Sequence, residues 1–128
     1  MKSNTYKAII ERSKDAYWAY APELEGVSGV GVSVQEAKQS MLEGLYLQQE
    51  LGNLPSQQIA FDYHFDVVSL LNYFKGILTN AAFERLTGIN QLQMSHYANG
   101  LKKPRKAQRQ KIEKALHQLG EDLRSIYL

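Results

Sequence analysis

The spacing of apolar residues changes once along the chain, near Phe65. Before it, short apolar segments alternate with polar residues at a period of two, which is typical of β-strands. Beyond Asp66, apolar residues recur at i, i+3, i+4 and i+7, as they do in amphipathic helices. The pattern therefore predicts an α+β protein, with a small β-β-β-α-β domain over residues 1–65 and an all-α domain of about five helices over residues 66–128.

Four strands are predicted in the first half. Thr5–Arg12 is rich in β-branched and apolar residues, and Ala16–Ala21 is its expected hairpin partner. Gly26–Ser33 is a third, glycine-rich strand. Gln58–Phe65 is predicted as the fourth strand because alternate positions are apolar, namely Ile59, Phe61, Tyr63 and Phe65.

One helix is predicted between the third and fourth strands. Ser33 and Glu36 have the spacing of a capping box, in which the serine caps the helix and Glu36 reaches back to the cap. The helix is expected to end near Gly52, and Gly44 inside it indicates close packing on the sheet. Its apolar stripe is formed by Val34, Ala37, Met41 and Leu45.

The second half begins with three predicted helices. The first carries the stripe Val67, Leu70, Leu71, Phe74, Ile77 and Leu78. Asn80 is expected to cap a second helix, which carries Phe83 and Leu86 and stops at Gly88. Asn90 is expected to cap a third helix, which Gly100 ends.

Two further helices are predicted towards the end of the chain. Pro104 suits the first turn of a fourth helix, whose buried stripe is Ile112, Ala115, Leu116 and Leu119. Gly120 is expected to break this helix. A last short helix would then carry Leu123, Ile126 and Tyr127.

The third of these helices has two unlike faces at 100° per residue. Met94, Tyr97 and Leu101 share one face and are expected to pack inward, with Ile89 filling the turn before them. The opposite face is polar and almost uncharged. It presents Leu92, Ser95, His96 and Asn99, flanked by Asn90, Gln91 and Gln93.

A basic segment follows that helix, and its chemistry complements the polar face. Glutamine can pair with adenine edges in the major groove, serine and histidine can donate or accept, and a leucine can contact a thymine methyl group. Lys102, Lys103, Arg105 and Lys106 would lie near phosphates and supply salt-dependent affinity. A short helix, a glycine turn and a second helix make a helix-turn-helix, and we expect binding to double-stranded DNA.

The charge of the chain is divided in the same way. Residues 1–64 hold five Lys/Arg against eight Asp/Glu, a net −3, whereas residues 65–128 hold ten against five, a net +5. An acidic half joined to a basic half indicates two surfaces with different partners, the basic one suited to nucleic acid. Charge alone also allows a simple role in solubility.

Two motifs resemble known families. Gly88-Ile89-Asn90, Met94-Ser95-His96-Tyr97, Gly100 and Lys103-Pro104 resemble the core of an Xre/Cro-type helix-turn-helix. The segment from Trp18 to Val27, WAYAPELEGV, followed by Gly29, Gly31, Ser33, Glu36 and Ala37, resembles the HicB antitoxin domain. Glu84 departs from the Xre-type pattern, which usually has alanine there, so that either the helix is shifted in register or the carboxylate emerges at its edge.

The resemblance implies an antitoxin of a HicAB-type type II toxin–antitoxin system. The first domain, over residues 1–65 and with a partial RNase H-like fold, would bind and mask a HicA-type mRNA interferase. The second domain, over residues 66–128, would bind operator DNA as a dimer or higher oligomer and repress the shared operon. The toxin-binding surface of the first domain is expected to include Tyr17, Trp18, Tyr20, Glu23 and Glu25, although the aromatic residues could equally belong to the core.

Enzymatic activity is not expected. Glu11, Glu23, Glu25 and Glu36 lack the spacing of a carboxylate set that converges on metal ions. His64, His96 and His117 are far apart, and the chain has no cysteine, so that no metal site or other cofactor is expected. A residual nuclease is the weakest alternative. A one-component transcription regulator, whose first domain senses a ligand or dimerises, is the stronger one.

The composition indicates a cytoplasmic protein. There is no cysteine for disulfides, which suits a reducing compartment. No apolar segment approaches the roughly 20 residues that span a bilayer, and the N-terminal sequence lacks the apolar core of a signal peptide. We therefore expect no membrane partner.

Overall fold

The structure is a computed structural model that describes residues 4–128. The chain divides into two compact units, Met1–Asp66 and Val67–Leu128, which are called unit 1 and unit 2 below. Over the described residues the fold is α+β, with a four-stranded mixed sheet and five helices. The sheet and one helix belong to unit 1, and the other four helices belong to unit 2.

Unit 1 has the predicted order of elements. These are β1 (Thr5–Arg12), β2 (Tyr17–Tyr20), β3 (Ser28–Gly31), α1 (Val34–Glu50) and β4 (Ala60–Phe65). The sheet order is β3-β2-β1-β4, with β2 antiparallel to its neighbours and β4 parallel to β1. A parallel pair needs a crossover connection, and α1 carries the chain from one edge of the sheet to the other.

Strand alternation gives the sheet one covered and one open face. Ile10, Ala19 and Gly29 are paired across β1, β2 and β3, and all three are buried on the face that α1 covers. Successive side chains of a strand point to opposite faces. The row Glu11, Trp18 and Val30 therefore lies on the face that α1 does not cover.

The packing of α1 on the sheet is as predicted. Val34, Ala37, Met41 and Leu45 are its buried residues. A Cβ atom added at Gly29 would lie 2.2 Å from the backbone nitrogen of Met41, so that only glycine allows the helix to lie this close to β3. At Gly44 an added Cβ would lie 3.2 Å from the carbonyl oxygen of Ser28, which confirms the close approach expected there.

Two details of unit 1 differ from the prediction. The Ser33 hydroxyl accepts from the Glu36 N–H as expected, but the Glu36 carboxylate accepts from the Val32 N–H and not from the cap residue. β1 has its predicted bounds, but β2, β3 and β4 are shorter than predicted. The Ser13 N–H and hydroxyl both donate to the Ala16 carbonyl, which keeps Ala16 in the hairpin turn.

Unit 2 consists of helices around one small core. They are α2 (Val67–Tyr73), α3 (Asn80–Thr87), α4 (Gln91–Ala98) and α5 (Lys106–Arg124). The buried core is formed by Leu71, Phe83, Ile89, Met94, Tyr97 and Ile112, with Leu70, Leu78 and Leu116 packed partly against it. Every helix contributes to this core, and Ile89 comes from the turn between α3 and α4.

The region between α2 and α3 corrects two predictions. α2 ends at Tyr73, and the N–H groups of Ile77 and Leu78 both donate to the Phe74 carbonyl. This turn moves Ile77 off the predicted stripe, and its side chain is 77% exposed. Thr79, not Asn80, caps α3, because its hydroxyl accepts from the Ala82 N–H and the helix begins one residue earlier.

The last part of the chain corrects four more predictions. Leu101 is 68% exposed and does not pack inward, because α4 ends at Ala98 and the backbone turns at Gly100. Pro104 precedes the N-cap of α5, Arg105. Gly120 does not break α5, which continues to Arg124 through residues that favour helix. There is accordingly no separate last helix, and unit 2 has four helices over its described residues.

Candidate functional site

The start of α4 is held by two side chains. The Asn90 carboxamide oxygen accepts from the Gln93 N–H at 2.8 Å, the expected helix cap. The Glu84 carboxylate on α3 accepts from the Gln91 N–H at 3.1 Å. Glu84 therefore emerges at the edge of α3 and satisfies a second N–H group at the N-terminus of α4, where negative charge is favourable.

The end of α4 is held from α2. The Asn72 side-chain amide donates to the carbonyls of Val68, in its own helix, and of Ala98, at 2.8 and 2.9 Å. The bond to Ala98 satisfies a carbonyl at the C-terminus of α4 that has no partner within the helix. Both ends of α4 are thus fixed by neighbouring helices.

The turn after α4 sets the position of the basic segment. Gly100 has φ of 78°, a left-handed conformation that favours glycine. The Lys102 N–H donates back to the His96 carbonyl, and the Leu101 N–H donates to the Asn99 side chain. Lys102 and Lys103 therefore leave the helix in a fixed direction.

The outward face of α4 is partly open and partly occupied. Gln91, Leu92 and Asn99 are exposed, with Leu92 at 66%. Ser95, His96 and Gln93 are half-buried, and the Gln93 amide donates to the Tyr97 hydroxyl at 2.9 Å. The His96 Nδ1 atom is buried without a hydrogen-bond partner among the described residues. Gln91, Leu92 and Asn99 are thus the most exposed side chains of this face, and the Asn99 carboxamide oxygen already accepts from the Leu101 N–H.

The basic segment lies at the end of this face. The side chains of Lys102, Lys103, Arg105 and Lys106 are all exposed. The Arg109 guanidinium donates to the Pro104 carbonyl and fixes the chain where it enters α5. Exposed cations beside a held helix with polar side chains form a surface suited to a polyanion.

The open face of the unit 1 sheet is the second candidate surface. Glu11, Trp18 and Val30 are paired across β1, β2 and β3, and Trp18 and Val30 are 47% and 45% exposed. The Tyr20 hydroxyl donates to the Glu11 carboxylate at 2.9 Å. This hydrogen bond, followed by burial and by the negative charge of Glu11, raises the pKa of Tyr20 above 10.0.

The predicted partner residues of unit 1 do not form one surface. Trp18 and Tyr20 alternate onto the open face, whereas Tyr17 belongs to the face that α1 covers. Glu23 and Glu25 are exposed in the turn between β2 and β3. Sequence reasoning missed Glu11 and Val30, which alternation and the pairing of β2 would have placed beside Trp18.

Two residues that position α4 were also missed. Asn72 has no sequence signal, because its role depends on the packing of α2 against the end of α4. Glu84 was noticed only as a departure from a family pattern, although a carboxylate seven residues before Gln91 serves the helix N-terminus here.

Over the described residues, no cluster of three or more His, Cys, Asp or Glu side chains is arranged to hold a metal ion. No helix in residues 4–128 is long and apolar enough to cross a membrane. Comparison with known protein families, characterised proteins and solved structures gave no match.

Proposed function

We propose that the protein is an antitoxin and autorepressor of the HicB type, in which unit 2 binds double-stranded operator DNA. The observation that carries this proposal is the setting of α4. Its ends are held by Glu84 and Asn72, its outward face is polar, and exposed cations follow it. A helix whose own polar groups are satisfied by its neighbours can present its outer face to base edges without rearranging.

The α3–α4 pair supports a helix-turn-helix. Gly88 ends α3 in the left-handed conformation with φ of 79°, and its N–H donates to the Glu84 carbonyl. Ile89 follows in the turn and is buried with Phe83 and Met94. In this interpretation α4 enters the major groove, Gln91, Ser95 and His96 meet base edges, and Lys102, Lys103 and Arg105 meet phosphates.

The proposed role of unit 1 is to bind a HicA-type mRNA interferase. A toxin that binds RNA needs a positive surface, and the net charge of −3 over residues 1–64 is complementary to it. The open sheet face offers Trp18, Tyr20 and Val30 as apolar contacts beside Glu11. The same proposal includes a partial RNase H-like fold without catalytic activity for unit 1, and a cytoplasmic location for the protein.

One observation favours the alternative of a ligand-sensing regulator. Glu11, Arg12, Ser13, Trp18 and Tyr20 line a shallow, open depression on unit 1. A small molecule with polar and aromatic parts would find partners there. The depression is open to solvent, however, whereas ligand sites usually bury most of the ligand surface. A protein partner fits this surface better.

Two experiments test the proposal. In vitro selection from a pool of random duplexes should enrich a sequence that the full chain binds, and failure to enrich any sequence would contradict DNA recognition. Co-expression with the neighbouring gene should yield a stable complex if that gene encodes the toxin. Trp18→Ala should weaken this complex, while the matched surface variant Lys14→Ala should not.

A further inference from the structure

The turn that joins α4 to the basic segment contains an asparagine followed by a glycine. Asn99 is the only asparagine of the sequence with a glycine after it, Gly100, and both residues are exposed. Asparagine is among the thermally labile residues. In such a pair the glycine nitrogen can attack the asparagine carboxamide carbon, because no Cβ atom of the glycine shields that nitrogen. The pair is therefore a candidate for a chemical change that needs no enzyme.

The Asn99 side chain is already turned towards the backbone that follows it. Its carboxamide oxygen accepts from the Leu101 N–H at 3.0 Å, the local turn that asparagine side chains form with the backbone two residues ahead. This hydrogen bond also makes the carboxamide carbon more electrophilic. A Cβ atom added at Gly100 would meet nothing within 4 Å among the described residues, so that a cyclic imide has room to form there.

Few bonds resist the rotation that this attack requires. Asn99 is the C-cap residue of α4 and has ψ of 3°, an angle that must change before the Gly100 nitrogen can reach the carboxamide carbon. The Gly100 N–H donates to the Tyr97 carbonyl at 3.2 Å. The Lys102 N–H donates to the His96 carbonyl, also at 3.2 Å. Both bonds lie at an exposed helix end, where local opening costs little free energy.

We propose that Asn99 is a site of spontaneous deamidation, through which the chain loses affinity for DNA as it ages. The Gly100 nitrogen loses its proton and bonds to the Asn99 carboxamide carbon, and the carboxamide nitrogen leaves with that proton as ammonia. Water then adds to one of the two imide carbonyls, breaks its bond to the Gly100 nitrogen and returns a proton to that nitrogen. One product is aspartate. The other is isoaspartate, in which the backbone runs through the side-chain carbons.

Both products change the surface that follows α4. Each carries a negative charge in place of the neutral carboxamide, close in sequence to the exposed side chains of Lys102 and Lys103, and this charge repels phosphate. Isoaspartate also lengthens the backbone before Gly100, so that the Lys102 N–H no longer meets the His96 carbonyl as it does now. The effect on DNA affinity rests on the proposed function, whereas the deamidation itself does not.

Mass spectrometry of the full-length chain tests the deamidation without DNA. The chain is aged in mildly alkaline buffer, where a backbone N–H loses its proton more readily, and is then cut with trypsin. The peptide from Leu86 to Lys102 contains both Asn99 and Asn90, and Asn90 is an internal control because Gln91 follows it. A fresh sample digested in the same way gives the background.

The mass increase of deamidation is expected at Asn99 and not at Asn90. The variant Asn99→Gln should show none at this position, because its longer side chain would have to close a larger ring. A modified fraction at Asn99 that does not exceed the fraction at Asn90 would overturn the inference.

Binding to the selected duplex tests the loss of affinity. The aged wild-type chain should bind more weakly than the fresh chain, whereas aged Asn99→Gln should bind as its own fresh sample does. Asn99→Asp, one of the two products, should weaken binding by about fivefold or more at low salt, and the difference should shrink as salt screens the charge. Gln118→Glu, which adds the same charge at an exposed position of α5, should bind like the wild type.

The two readouts separate the ways in which the account could fail. Asn99→Asp that binds the duplex as tightly as Gln118→Glu would overturn the loss of affinity, whatever the mass spectra show. If selection enriches no duplex, the proposed function fails, and the mass spectra alone still decide whether Asn99 deamidates.

Discussion

The two long helices are nearly equal in length but differ in what covers them. α1 has 17 residues and buries four of them, whereas α5 has 19 residues and buries only Ile112. α1 lies on a four-stranded sheet, and Gly29, which has no Cβ atom, lets the helix approach β3 closely. The core of unit 2 contacts α5 at Ile112 and Leu116 but not along the rest of the helix.

This difference shows that an apolar stripe at helical spacing does not by itself tell how much of the stripe the fold covers. The stripe of α1 is matched by a sheet within its own unit. The stripe of α5 continues past the core, where Leu123 is 59% exposed. The glycines differ in the same sense, since Gly29 is required by a neighbour in the chain and Gly120 is not.

The largest effect is expected from Gly29→Ala. Its Cβ would lie 2.2 Å from the Met41 nitrogen, so that α1 and β3 must separate. We expect unit 1 to lose about 3 kcal/mol or more of stability. Chemical denaturation followed by the fluorescence of Trp18, the one tryptophan, reports on unit 1. The control Ser28→Ala, at an exposed neighbouring position, should change little.

Met94→Ala tests the core of unit 2. Met94 is fully buried, so that truncation should cost about 2–4 kcal/mol. The loss should show in amide hydrogen exchange of α3 and α4 and leave exchange in the unit 1 sheet unchanged. Leu92→Ala, on the exposed face of the same helix, is the matched control. An equal loss in both units would mean that they unfold together.

Gly120→Ala should act in the opposite direction to Gly29→Ala. Alanine favours the helix by up to about 1 kcal/mol where nothing clashes, and nothing lies within 4 Å of its Cβ among the described residues. Thermal melting should show a higher midpoint. A lower midpoint would reveal a neighbour within the chain.

The smallest effect concerns the open sheet face. The pKa of Tyr20 is raised above 10.0, so the folded state favours the protonated phenol. This contribution to stability is present below pH 10.0 and is lost as the pH rises through the folded-state pKa. Glu11→Gln should move the pKa of Tyr20 back towards 10.0. An NMR titration of the Tyr20 ring would show it, and an unchanged pKa would exclude Glu11 as the cause.

Much of the fold was predictable because local signals agree with the packing. The alternation in Thr5–Arg12, the cap at Ser33 and the turn at Gly88 each appear where expected. The predicted helix break at Gly120 was wrong because the helix-favouring residues around it outweigh the cost of one glycine. The prediction that Leu101 packs inward was wrong because the helical spacing continues in the sequence beyond Gly100, where the backbone has already turned out of α4.

The candidate site was predictable only in part. The spacing of α4 separates Met94 and Tyr97 from Leu92 and Asn99 correctly. The contacts of Glu84 and Asn72 with the ends of α4 depend on how helices meet in space, and no local pattern contains that information.

The central claim, DNA recognition by α4, is tested most directly by binding isotherms of the full chain. A selected duplex and a scrambled one are titrated at several salt concentrations. Gln91→Ala should cost about 1–3 kcal/mol on the selected duplex and little on the scrambled one. Lys103→Ala should weaken both and lower the salt slope by about one. Equal losses on both duplexes for Gln91→Ala, or a salt slope that Lys103→Ala leaves unchanged, would contradict the account.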